Sequence, residues 1–194
     1  MKHWIVTYCI FIIPLLTFGQ PVKKNSWVVP HHAKLQFAGT IGFLSGGFGY
    51  ESANTKLQYD FFYGHVPEKF GGVAIHSVTG KLTWIIISEQ LKKELRIDPL
   101  TTGFLVNYTF GKQYFLFKTP NYPSFYYGFP TAAHFGILIG SSIKKNKLGL
   151  YYELGTHVKD LASYVTNTRT LDFVDILNIA IGARIELRKT KRNN

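Results

Sequence analysis

The clearest pattern of hydrophobic and polar positions lies near the C-terminus. Residues 175–187 read DILNIAIGARIEL, with Leu177, Ile179, Ile181, Ala183, Ile185 and Leu187 on one face and Asn178, Ala180, Gly182, Arg184 and Glu186 on the other. A period of two over this length predicts a β-strand, because a helix would scatter those apolar residues around its circumference. The run exceeds the ~5–6 residues usual in soluble sheets and matches the ~9–11 tilted residues that cross a bilayer. One face is continuous hydrocarbon and the other is small, polar or charged. That is the alternation of a transmembrane barrel with lipid outside and a narrow polar lumen inside.

The same alternation recurs upstream. Ala33, Leu35, Phe37, Gly39, Ile41 and Phe43 alternate with Lys34, Gln36, Ala38, Thr40 and Gly42; then the phase slips, and Leu44, Gly46, Phe48 and Tyr50 carry the bulk. In a glycine-rich stretch, such a slip predicts one long strand with a β-bulge. No helical pattern follows SGGFG (45–49), so it is read as strand and not as a phosphate-cradling loop. Further strands are expected at 57–64, 73–87, 101–110, 113–118, 134–143 and 148–155. Residues 88–99 form the one helix-like patch, too short to hold a helix alone, and are read as a loop. The fold class is therefore all-β, an antiparallel up-and-down transmembrane β-barrel of about eight strands. With the N-terminus in the periplasm, HVPEKFGG (65–72), Gly111-Lys112 and KKNK (144–147) become periplasmic turns. The connections 88–99, 119–130 and 156–172 become long outer loops, and TPNYPSFYYGFP (119–130) reads as an aromatic loop at headgroup level.

Composition adds the compartment. The 194 residues suggest one domain, rich in Gly (18) and Tyr (12) with a single Met. A mean hydropathy of +0.03 is low for a helical membrane protein, yet suits a barrel, where alternation cancels in the mean. Lys2 and His3 precede an apolar run, 4–18, with Thr17 and Gly19 at signal-peptidase spacing. This predicts a cleaved signal peptide over 1–19. A periplasmic lead-in (20–32), the barrel (33–187) and a basic, solvated C-terminal tail (188–194) would follow. Cys9, the only cysteine, falls within the leader, so disulfides and Cys-ligated metals are excluded from the mature chain. The net charge of +11 is dispersed over many turns. It is read as facing anionic lipid, not nucleic acid.

The signal peptide, the alternating strands and the closing IGARIEL resemble the small outer-membrane β-barrel proteins of Gram-negative bacteria. Gly182, Ile185 and Leu187 would occupy the glycine and hydrophobic positions of the terminal-strand signal read by the barrel assembly machinery. Such strands usually finish on an aromatic, whereas here Leu187 precedes the tail RKTKRNN. The resemblance implies location in the cell outer membrane, with outer-membrane lipids, lipopolysaccharide and the assembly machinery as partners and no nucleic acid.

The inward set is expected to be Lys34, Gln36, Gln58, Asp60, His76, Asn107, His134, Glu153 and Arg184. An eight-stranded interior just fits side chains. Unpaired buried charge is costly, so these residues are read as a mutually paired polar cluster. Glu153 and Arg184, on adjacent strands, are the expected ion pair, and Asp60 should meet Lys34 or a histidine. No catalytic residue is assigned. His76 with Ser77, His157 with Asp160 and Ser163, and His134 with Ser141 or Ser142 are the nearest constellations, and none matches the His-x-Ser-Asn stretch of the lipid A deacylase barrels. His31-His32 lacks neighbouring carboxylates, so no metal or other cofactor is expected. The reading is an outer-membrane barrel with a narrow polar-filled lumen and a structural or surface-interaction role, not a bulk porin. One alternative is a lipid-modifying outer-membrane enzyme acting on lipid A or phospholipid acyl chains. A second is a secreted lipocalin-like barrel binding an apolar ligand, whose bulky residues would point inward.

Overall fold

The computed structural model describes residues 29–116, 131–166 and 172–188. The expected signal peptide, most of the lead-in, the aromatic loop 119–130 and the tail beyond Arg188 lie outside these residues. Eight strands make up the fold: β1 (His32–Ala38), β2 (Leu44–Glu51), β3 (Leu57–Val66), β4 (Ile75–Lys92), β5 (Leu95–Phe110), β6 (Ala133–Lys145), β7 (Leu148–His157) and β8 (Asn178–Glu186). Each pairs antiparallel with its neighbours in sequence, and β8 pairs back on β1, so the sheet is a closed barrel. Closure leaves no edge strand along the shared length.

The strand count agrees with the pattern, but its partition does not. The phase slip after Phe43 is a chain reversal and not a bulge. Ala38 and Gly39 both take positive φ (59° and 82°), Gly42 sits at 141°, and the Ala38 amide donates to the Phe43 carbonyl. Two successive left-handed residues turn the backbone, so 33–50 is the hairpin β1–β2. The expected loop 88–99 is instead the tip of the β4–β5 hairpin, turning at Lys93 and Glu94. Leu91 and Leu95, spaced like helix neighbours, lie on opposite arms. Of the expected strand 113–118, the described residues 113–116 lie outside any strand.

These changes reassign the ends of the barrel. The connections 52–56, 93–94 and 146–147 share one end, the turn end, with the first and last described residues, 29 and 188. The connections 39–43 and 67–74, with the described residues 111–116, 131–132, 158–166 and 172–177, lie at the other, the loop end. HVPEKFGG and Gly111-Lys112 therefore stand opposite residues 29 and 188, not beside them. Short α1 (Glu68–Gly71), α2 (Val158–Thr166) and a 3-10 turn (Phe173–Ile176) decorate the loop end.

Strand stagger sets the width. Stepping across partners from Leu148 to Ile185, Ala33, Phe48, Phe61, Gly80, Val106 and Phe135 completes the circuit beside Gly136, whose partner is His157. The path thus returns to β7 about ten residues from its start, which for eight strands implies the steep tilt and side-chain-filled interior of the smallest barrels. The outer wall carries Leu35, Phe37, Phe48, Phe61, Phe104, Ile139, Leu150, Ile179 and Ile181, all exposed. The inner wall is mostly polar, and among the described residues Ile41, Phe62, Leu105 and Leu138 form a buried apolar cluster.

Candidate functional site: the lumen network

Alternation dictates what enters the lumen. On β1 it sends His32, Lys34 and Gln36 inward; on β3, Gln58, Asp60 and Phe62; on β4, Ser77, Thr79, Lys81 and Thr83; and on β8, Ala180, Gly182 and Arg184. The buried formal charges are four bases, Lys34, Lys81, Arg96 and Arg184, and four acids, Glu51, Asp60, Asp98 and Glu153. This balance favours mutual pairing over any net attraction for ions.

Three layers follow from the turn end inward. In the first, Arg184 bonds Glu51 and, at 2.6 Å, Glu186, which also accepts from Lys144 at 3.0 Å. Arg96 donates to Asp98 at 2.7 Å, and Ser142 donates to the same carboxylate at 3.2 Å. A small recess lined by Glu51, Gln58, Arg96, Asp98 and Arg184 opens here. His31, just ahead of β1, is held below the usual imidazole pKa first by burial and then by the Arg188 guanidinium.

The second layer is deeply buried. Asp60, 1% exposed, lies 2.6 Å from Nε2 of His32 and 2.7 Å from Nζ of Lys34, which also donates to Gln58 at 3.1 Å. Beside it, Lys81 lies 2.8 Å from both oxygens of Glu153 and 3.3 Å from Gln36, which also accepts from the Tyr151 hydroxyl at 3.2 Å. Lys81 stands 4.8 Å from the Phe62 ring centre and Lys34 5.2 Å from that of Tyr151, adding cation–π attraction. Two glycines make room: a Cβ at Gly182 would occupy the Tyr151 ring, and one at Gly49 would strike Asp60 and His32.

The third layer, toward the loop end, is apolar. The β1–β2 turn folds Ile41 into the mouth against Phe62, Leu105 and Leu138, leaving it 2% exposed. Its carbonyl accepts from the Ser77 hydroxyl at 2.9 Å and from Ser45. Near the rim, the His134 and His157 rings lie 5.3 Å apart, with His157 3.3 Å from Asp160.

Of the expected inward residues, Lys34, Gln36, Gln58, Asp60, Asn107, Glu153 and Arg184 are buried inside, whereas His134 sits half-buried at the rim. Asp60 meets both Lys34 and a histidine. His76 is a correction: it points outward, in line with Val78, Leu82 and Trp84, and its ring contacts Tyr63 and His65. The Glu153–Arg184 pair is also corrected. Register sets Glu153 against Ala180 and Arg184 against Gly149, so each charge finds another partner, Lys81 and Glu51 respectively. His32, expected in a solvated lead-in, is a fully buried member of β1. Lys81, Glu51, Arg96 and Asp98 were not expected inside. Lys81 shares parity with Ser77, Thr79 and Thr83, the signal that could have found it.

The serine–histidine constellations resolve differently. His76 and Ser77 face opposite sides of the wall, and Ser142 donates to Asp98 near the end of the barrel remote from His134. Ser163 donates to the Lys159 carbonyl within α2. Among the described residues, no group of three or more His, Cys, Asp or Glu is arranged to hold a metal ion. No protein-family model, curated protein or solved structure matches this chain.

Proposed function

We propose that the protein is an integral β-barrel of the cell outer membrane with a charge-filled lumen and a structural or surface-interaction role. The observation that carries this reading is the inverted distribution of polarity. The outer wall exposes apolar side chains around the barrel, among them Phe61 and Leu150 at 56% and 61% and Ile181 at 62%, while the lumen buries eight formal charges. In water, a continuous apolar band would far exceed the ~300–600 Å² of the largest patch on a typical monomer. A hydrocarbon surround removes that cost, and the closed barrel satisfies the backbone within it. A lipocalin-like barrel would place these bulky side chains inside, where this chain has Gly49, Gly182 and paired charges. The lumen residues pair with each other, so bulk permeation is not the task. Outer-membrane lipids, lipopolysaccharide and the barrel assembly machinery are the partners such a protein would meet.

The test is heat-modifiability. The protein, expressed with its own leader, is extracted from the outer-membrane fraction in mild detergent and run on SDS gels with and without boiling. A mobility shift confined to the boiled sample is expected. Soluble periplasmic protein without a shift would overturn the reading in favour of the ligand-binding barrel.

A further inference from the structure

Charge on the rims of the barrel is distributed unequally. At the turn end, each tight connection exposes lysine: Lys56 after 52–55, Lys92 and Lys93 at the β4–β5 tip, and Lys145 and Lys147 at the β6–β7 tip. Half-buried Lys144 and Arg188 adjoin them, against exposed Glu89 and Glu94 and half-buried Glu186, which accepts from Lys144 at 3.0 Å. The first and last described residues also lie at this end, since Leu187 donates to the His31 carbonyl. At the loop end, the described charges are Lys69, Lys112 and Lys159 against Glu68, Asp160, Asp172 and Asp175. Among the described residues, one rim is a collar of cations and the other is near neutral.

The position of the collar selects its partner. Trp84 stands on the outer wall opposite Leu57, the first residue of β3 and the neighbour of Lys56, while β4 carries exposed Ile86, Ile87 and Leu91 beyond it toward Lys92. A lysine at the tip of such a turn can lay its hydrocarbon stem on the apolar wall while its ammonium reaches outward to the headgroups. We propose that the turn end is a cationic collar that binds the phosphates of anionic phospholipid headgroups in the leaflet on the side of residues 29 and 188. This inference rests on the membrane reading above and adds to it the lipid class and the side. Juxtamembrane cations each contribute modestly and add up, so five exposed lysines suffice for selection without a structured pocket.

Trp84 supplies the probe. The full chain, expressed with its own leader and purified from the membrane, is reconstituted in phosphatidylcholine vesicles in which a fraction of lipid is brominated phosphatidylglycerol or brominated phosphatidylcholine. Quenching that disappears in Trp84→Phe reports the lipid beside the turn end. Brominated phosphatidylglycerol should outcompete its zwitterionic counterpart about threefold or more at low salt, and the preference should shrink as salt rises. Joint replacement of Lys56, Lys92, Lys93, Lys145 and Lys147 by Gln should abolish it, whereas joint replacement of Lys69, Lys112 and Lys159 by Gln should not. Equal quenching by the two lipids, or a preference that survives the first replacement, overturns the collar; so does a preference lost in the second. Heat-modifiability is measured on every sample. A retained shift without lipid preference defeats the collar alone, whereas a missing shift in the wild type defeats the membrane reading itself.

Discussion

Lys81 and Glu153 make the interior's dependence on pairing measurable. Each is buried, and Lys81 touches both oxygens of Glu153. Lys81→Met alone should destabilise by about 3–5 kcal/mol, because it leaves a buried carboxylate without its lysine. Lys81→Met combined with Glu153→Leu should recover most of that loss, since replacing a buried pair by apolar groups is often neutral. Urea midpoints from the folded-to-unfolded gel shift, taken as a double-mutant cycle, check both. Ile181→Arg tests the other wall. It should cost about 2–4 kcal/mol in a bilayer midplane, against within about 0.5 kcal/mol on a watery surface. At this scale the sequence was informative about sides and poor about partners. Parity placed Asp60 and Arg184 inside, whereas the choice of Glu51 over Glu153 for Arg184 depends on register and on contacts across the lumen. His76 was misplaced although it shares parity with Val78 and Leu82, which face outward.

Among the elements, the β1–β2 turn constrains the rest most. Gly39 sits at φ 82°, and a Cβ there would lie 2.7 Å from that of Ala180 on β8. Gly39→Val should therefore lower stability by about 1–3 kcal/mol through backbone strain alone, with the added crowding displacing Ile41 from the mouth. Unfolding midpoints read the loss, and increased proteolysis at 39–43 would mark the freed turn. Here the limits of pattern reading have a physical origin. A phase slip beside glycines is what both a bulge and a tight reversal leave in a sequence, and only φ distinguishes them. The strands with a strong period, β3, β7 and β8, were legible; the β4–β5 tip was not, because register shifts between Ile85 and Lys92 break its alternation.

For the molecule as a whole, the layering makes a functional prediction. Beneath the Ile41 cluster lie two tiers of paired, buried charges. In planar bilayers the protein should show no steady pore conductance, and a stable ohmic channel would contradict the packed lumen. The global class was readable from the recurrence of alternation, since eight similar half-apolar strands have few ways to bury one face. The assignment of ends was not, because a single miscounted strand inverts the direction of those that follow it. Merging β1 with β2 and expecting a strand from 113, where the described residues 113–116 form none, are opposing shifts that restored the count and left only the intervening strands inverted.

The pairing of β8 with β1 brings Leu187 to within a hydrogen bond of His31. The protein is therefore a ring whose chain happens to be cut at that seam, and nothing in the strand order makes the seam special. Joining residues 29 and 188 by a short flexible linker and opening the chain between Asn146 and Lys147, at a two-residue exposed turn, should yield a permuted protein with the same heat-modifiable mobility. If the permuted chain closes more slowly but reaches the same state, the native seam sets the order of assembly without defining its end point.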